Sequence, residues 1–260
     1  MIDLCVVNYK TPKHLERLLR VLVSDAVESP PWKLYIADNG EDSESRKVLE
    51  SIGGIAQSID MNKNIGYSAA CNQLASRGNS EYLALLNADI WMNTASVKAL
   101  EESISADDTI GVLGPKQLDE HRRIVHAGII GTNEAPKHRG WKIPDLQDIM
   151  FKDKIECVTV SGSVYVVRRS AWEKLANDKE YLELFPEAKG AFLPTPHYYE
   201  ETFCSYFARH RGYKVVYDGS ITVGHSWHAA SKIGGEADKH FEESRKIFRS
   251  ACDHLGIAHD

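Results

Sequence analysis

The residues best suited to chemistry sit where an apolar run stops. Leu83-Ala84-Leu85-Leu86 is followed by Asn87-Ala88-Asp89, two short polar side chains straddling an alanine. An apolar run of that length has the pattern of a strand buried on both faces of a parallel sheet. A carboxylate just past such a strand lies at the carboxyl edge of the sheet, where open α/β folds bind ligands. Asp89 is a hard oxygen donor suited to Mg²⁺ or Mn²⁺, with the remaining ligands available from a diphosphate and water. Asn and Asp are also ordinary turn formers at strand ends, so the pair alone leaves both roles open.

Three further sites carry the same ambiguity. Asp38, in Asp38-Asn39-Gly40, ends a second apolar run; it can accept from the N3–H of a uracil ring or simply cap a turn. Glu200 and Glu201 open a helix, where carboxylates favour the positive end of the dipole and need no catalytic task. His225, in Gly224-His225-Ser226-Trp227-His228, is an imidazole just past a strand. Such a residue packs or caps more often than it ligates, yet it can complete a divalent site with Asp89.

The elements that must position these residues alternate. Leu4-Cys5-Val6-Val7 reads as a first strand, ending at Asn8-Tyr9-Lys10. Thr11 and Pro12 then supply an N-cap and a first helical position, and Leu15, Leu18, Leu19 and Leu22 form one apolar stripe. Strands come next at Leu34–Ala37, Ile55–Ile59 and Leu83–Leu86, with helices from Ser43 and from Ser68 to Ala75. Asn64-Ile65-Gly66-Tyr67 forms a turn-rich loop before the latter. Alternation at this spacing predicts an α/β fold with a mostly parallel central sheet flanked by helices and right-handed crossovers. The chain divides into a Rossmann-like nucleotide-binding half (1–93), an acceptor half (94–235) and a C-terminal helix (236–260). In the second half a strand from Ile110 is expected to end at Gly114-Pro115. The polar segment from Asn133 to Lys154 reads as a mobile loop over a site.

Composition narrows the class. A chain of 260 residues with 43% hydrophobic and 26% charged residues can bury a full core. A net charge of -6 argues against a nucleic-acid binder. No apolar run reaches membrane-spanning length, and Met1-Ile2-Asp3 opens a strand rather than a signal peptide. The five scattered cysteines have no metal spacing and suit reduced thiols in the cytoplasm. Neither G-x-G-x-x-G nor a Walker A sequence is present.

Taken in order, the pieces resemble the family 2 glycosyltransferases of the GT-A fold, in particular the rhamnosyltransferase-like branch. They are Val7-Asn8-Tyr9 with Thr11-Pro12, Asp38-Asn39-Gly40, Asn64-Ile65-Gly66-Tyr67 with Asn72, Leu86-Asn87-Ala88-Asp89, Ser161-Gly162-Ser163, Glu200-Glu201, Arg211-Gly212-Tyr213 and His225. The resemblance implies an inverting, metal-dependent transfer of a sugar from a nucleotide diphosphate sugar, UDP favoured, to an acceptor hydroxyl on a glycan, lipid-linked intermediate or protein. It implies nucleotide contacts from Val7, Asn8, Tyr9, Thr11, Asp38, Asn64, Gly66, Asn87 and Ala88, with Asn87 orienting Asp89 or a metal-bound water. Mn²⁺ or Mg²⁺ is expected on Asp89 and His225, with His228 as the substitute for His225. Lys232, in a Gly-rich stretch, is expected to meet the phosphates. Glu201 is the expected base and Glu200 the positioning acid. Two features depart from the family pattern: the DxD motif retains only its last carboxylate, and the usual Glu-Asp pair is Glu-Glu. A sugar-1-phosphate nucleotidyltransferase and a non-catalytic nucleotide-sugar or carbohydrate-binding protein are the alternatives. The first would need a Gly-, Arg- and Lys-bearing phosphate loop that Asn8–Pro12 does not supply.

Overall fold

The computed structural model describes residues 1–24, 30–132, 136–227 and 240–259. Its first part alternates as the apolar runs require: β1 (Ile2–Asn8), α1 (Pro12–Ser24), β2 (Trp32–Asp38), α2 (Ser43–Ser51), β3 (Ala56–Asp60), α3 (Tyr67–Ala75) and β4 (Tyr82–Asn87). These strands pair in parallel in the order β3-β2-β1-β4. Register sets Asn8 beside Asp38 and Val7 beside Asn87, so three polar chain ends emerge at one edge.

The second part continues the sheet with mixed directions. It comprises β5 (Ile90–Trp91), α4 (Thr94–Ser105), β6 (Ile110–Leu118), β7 (Ile124–His126), β8 (Ile129–Gly131), β9 (Pro136–His138), β10 (Lys154–Glu156) and β11 (Val164–Arg168). Then come α5 (Arg169–Ala176), α6 (Lys179–Leu184), α7 (Glu200–His210), β12 (Lys214–His225) and α8 (Phe241–His254). The sheet runs β10-β12-β6-β11-β4-β1-β2-β3, while β8 and β9 form a separate hairpin. β11 is antiparallel to both β4 and β6, whereas β12 is parallel to β6. Alternate residues feed two cores. Leu4, Val6, Leu86, Val164 and Val166 pack with the leucines of α1. Cys5, Val7, Leu85, Tyr165 and Val167 pack toward α3, α5, α7 and α8 on the other face.

Two differences from the sequence expectation bear on the site. β6 does not stop at Gly114-Pro115 but runs on to Leu118. Proline has no N–H for the ladder, and β12 shifts register opposite it, between Asp218 and Thr222, absorbing the irregularity. That extension carries Lys116 and Gln117 into the interior. The described part of the 133–154 segment is pinned rather than draped. The fully buried Lys116 donates to Asp145 Oδ2 at 2.8 Å and to the Met150 carbonyl at 3.0 Å, and it pairs with Asp148. Asp145 Oδ1 in turn accepts from the Ile149 and Met150 amides.

Candidate functional site

A cavity of about 500 Å³ opens at the carboxyl edge of β1 and β4. Its floor comes from the shortest elements of the sheet. Asp89 lies in the two-residue turn between β4 and β5, and β5 pairs with the end of β12 so that Ile90 lies opposite His225 and Trp91 opposite Gly224. A side chain at 224 would strike the Trp91 ring, since a Cβ there would lie 1.7 Å from it. Glycine therefore permits this crossing, and the crossing brings His225 Nε2 to 3.4 Å from Asp89 Oδ1, both residues 5% exposed.

The orientation of His225 is fixed from behind. Its Nδ1 lies 3.0 Å from Gln117 Oε1, an atom that can only accept, so Nδ1–H donates there and Nε2 is the ring nitrogen turned toward Asp89. Gln117 Oε1 also accepts from Ser163 Oγ at 2.8 Å, and Ser163 meets Ser161 Oγ at 2.7 Å. A carboxylate oxygen and an imidazole nitrogen at this separation suit neighbouring positions on a small divalent ion, because cis ligands bound at about 2.1 Å sit about 3 Å apart. Among the described residues there is no cluster of three or more His, Cys, Asp or Glu side chains that could hold a metal. Among the described residues the pair would offer a divalent ion two positions, leaving the others to further donors such as a ligand and water.

The same cavity is lined by two glutamates. α7 begins after Tyr198 and Tyr199, both left-handed with φ of 70° and 71°. Consecutive non-glycine residues in that region are strained, and such strain clusters at functional sites. The turn delivers Glu200 and Glu201 to the cavity wall beside His197 and Tyr198. Glu200 is buried and accepts from Thr195 Oγ1 at 3.2 Å. Glu201 is half-buried, and its carboxyl lies against Gly162, where a Cβ would come within 3.2 Å of Cδ. Burial raises both carboxyls above the usual carboxylate range, and the neighbouring Glu201 charge pushes Glu200 further. Tyr67 donates to the Gly162 carbonyl at 2.8 Å, so the 161–163 loop ties α3, the acid pair and the His225 support together.

Residues 3–176 match the sequence family described as Glycosyl transferase family 2. The chain belongs to glycosyl transferase family 2. None of the curated protein sequences matches it. Its GT-A architecture is shared by solved structures of low sequence identity. One is GalNAc-T7 with UDP, GalNAc and Mn²⁺, with a TM-score of 0.64 at 16% identity over 86% of this chain and 43% of that one. A second is S. aureus TarS 1–349, with 0.66 at 13% over 100% and 66%. A third is the mannosyltransferase PcManGT from Pyrobaculum calidifontis with GDP-Man and Mn²⁺, with 0.59 at 12% over 98% and 68%. The chain thus spans less than half of GalNAc-T7.

In this family 2 chain the cavity gathers Val7, Tyr9, Thr11, Asn64, Gly66, Asn87 and Ala88 with Asp89, His225, Glu200 and Glu201. Asn8 and Asp38 stand behind the wall. Asn8 donates to Ser45 Oγ at 2.9 Å and to Asp38 at 3.4 Å while accepting from Thr11. Asn39 takes the wall position instead, with its Oδ1 accepting from the Ile65 amide and its Nδ2 donating to Asn64. Asn72, from the same set of motifs, is structural: it pins the Ala188 and Phe192 backbone. Lys232 and His228 lie outside the described residues. Gln117, His197, Tyr198 and Trp227 escape sequence reasoning. Gln117 sits past a proline that reads as terminal, and the others occupy turns without a periodic signal. The paired left-handed tyrosines cannot be read from residue type.

Proposed function

We propose that the chain is an inverting glycosyltransferase that moves a sugar from a nucleotide diphosphate sugar, UDP-linked by preference, to an acceptor hydroxyl. The observation that carries this reading is one cavity lined by both the Asp89–His225 pair and the Glu200–Glu201 pair, with the 161–163 loop linked to each. A volume of about 500 Å³ falls in the usual range for organic ligands, about 300–1,000 Å³. Asp89 and His225 Nε2 would hold Mn²⁺ or Mg²⁺, which supplies charge neutralisation for a departing diphosphate. GalNAc-T7 with UDP and Mn²⁺ and PcManGT with GDP-Man and Mn²⁺ support a nucleotide-sugar donor and a divalent ion. Val7, Tyr9, Thr11, Asn39 and Asn64 bind the nucleoside, with Asp38 reading the ring from behind Asn8 after side-chain adjustment. Asn87 and Ala88 flank the ribose and phosphates, and Lys232 is assigned to the phosphates on sequence grounds alone. Residues 1–93 act as the donor half and 94–235 as the acceptor half, and 236–260 form a C-terminal unit whose described helix is α8 (Phe241–His254).

The acceptor hydroxyl loses its proton to Glu201 as its oxygen attacks the anomeric carbon from the face opposite the leaving diphosphate, and this single displacement inverts the configuration. Burial raises the Glu201 carboxyl toward neutrality, where a general base works well. Glu200, tied to Thr195, positions the loop and the sugar. The rhamnosyltransferase-like branch, a hexosyl donor and a cytoplasmic setting complete the proposal. All five cysteines are free and buried, which fits a reducing compartment. Titration calorimetry with UDP and Mn²⁺, then turnover with a panel of nucleotide sugars, tests it. Metal-dependent UDP binding with release of UDP from one sugar nucleotide is expected. Full activity in excess EDTA would overturn the metal assignment, and absence of nucleotide binding would overturn the class.

A further inference from the structure

Beside the cavity the chain exposes apolar side chains that its own core does not use. Trp141, Ile143, Leu146, Ile149 and Met150 are all exposed within ten consecutive residues, Leu146 at 73% and Ile149 at 60%. Isolated exposed hydrophobics are ordinary, whereas a run of large ones on one excursion marks an interaction surface. The excursion is held rather than floppy: the buried Lys116 grips Asp145, Asp148 and the Met150 carbonyl, and Tyr217 Oη donates to the Phe151 carbonyl at 2.7 Å. Its apolar side chains are thus presented from a fixed base.

Charge identifies the occupant. The acids of the excursion are consumed internally, Asp145 and Asp148 by Lys116 and Asp153 by Arg139. Lys137, Lys142 and Lys152 are exposed, and none of them pairs with a carboxylate among the described residues. In a chain of net charge -6 this is a locally cationic rim around Trp, Ile, Leu and Met. Tryptophan, aliphatic side chains and lysine at one boundary match an interface of acyl chains beneath anionic headgroups. The patch also adjoins the site: Trp141 meets Trp227 edge-on with ring centroids 4.5 Å apart, and Trp227 lines the cavity.

We propose that the 137–152 excursion docks this protein on an anionic phospholipid surface and thereby holds the cavity mouth close to that surface. Docking needs no membrane-spanning helix, and among the described residues no helix is long and apolar enough to span one. It is independent of the sugar, the metal and the assigned base.

The test is vesicle sedimentation of the full chain with phosphatidylglycerol–phosphatidylcholine vesicles and with pure phosphatidylcholine vesicles, at low and high salt. Binding to the mixed vesicles, weakened by salt and weaker on the neutral ones, is expected. L146E/I149E alters only exposed side chains and should lower partitioning at least about tenfold. K142E/K152E should remove the dependence on anionic lipid. Both variants should keep the near-ultraviolet circular dichroism and UDP–Mn²⁺ calorimetry of the parent. Parent protein that stays in the supernatant with both vesicle types overturns the proposal. So does L146E/I149E that is folded and partitions like the parent, or a parent dimer in analytical ultracentrifugation that L146E/I149E converts to monomer, which would assign the patch to a second copy.

Discussion

Glu200 and Glu201 are adjacent in sequence, but their side chains leave the helix roughly 100° apart, so they meet different partners. Glu200 faces Thr195, and Glu201 faces Gly162 and the cavity. Glu201→Gln should therefore keep UDP and Mn²⁺ affinity while lowering turnover about 10²–10⁴-fold, the usual cost of a lost general base. Glu200→Gln should be milder in turnover. A base at Glu201 must be deprotonated, and burial raises its pKa, so on the proposed mechanism the acid limb of the rate profile should lie above that of an ordinary carboxylate. Stability runs the other way. A carboxyl whose folded pKa is raised favours the folded state when protonated, and that advantage fades as pH climbs from the unfolded value through the folded one. Glu200→Gln should then raise Tm at alkaline pH, by relief of at least about 1 kcal/mol if even one pKa unit is recovered. Gln117→Leu removes the acceptor behind His225 Nδ1 and should weaken Mn²⁺ binding about 10–100-fold. Nitrogen-15 spectra of the metal-free protein should show the His225 ring losing its single tautomer, which packing damage alone would not produce.

Strands and their polar ends are far more legible in the amino-acid sequence than the connections between them. Leu83–Leu86 and Leu34–Ala37 are continuous apolar runs, so their burial and the polar residues at their ends can be read from pattern. Asp89, His225 and the acid pair are found in this way or by family resemblance, and the cavity brings them together. The illegible part is tertiary. Pro115 reads as a stop, yet a bulge in β12 lets β6 pass it. The 136–154 stretch looks polar and loose because the lysine that pins it lies on another strand. That ion pair sets the expectation for this element. Lys116→Met leaves Asp145 buried without its cation and should cost about 3–5 kcal/mol in urea denaturation, whereas K116M/D145L should recover much of it. Gly224→Ala should also destabilise, because the Cβ enters the Trp91 ring and forces β5 off β12. Loss of divalent binding should accompany it even in the fraction that stays folded.

At the scale of the whole molecule, strands from both parts of the chain share one sheet, so ligand binding should report on global stability. If UDP and Mn²⁺ bind only the folded chain, ligand at 100 times its Kd should add about 2.7 kcal/mol, visible as a Tm rise that EDTA abolishes. The sheet order also has a consequence for how the enzyme comes into being. Among the described residues β12 is the last strand in sequence but not the last in space, since it sits between β6 and β10 and carries His225 at its end. Chains emerge from the ribosome N-terminus first, and β1 to β4 can pair as soon as they are out. The cavity wall proposed to hold the nucleoside is thus available early, while the imidazole that faces Asp89 arrives only when β12 slots beside an already built neighbour. A nascent chain would pass through a stage that recognises nucleotide but lacks its full cation site, and it becomes competent in one late insertion. Pulse-labelled hydrogen exchange during refolding should accordingly find β12 amides protected after those of β1 and β4.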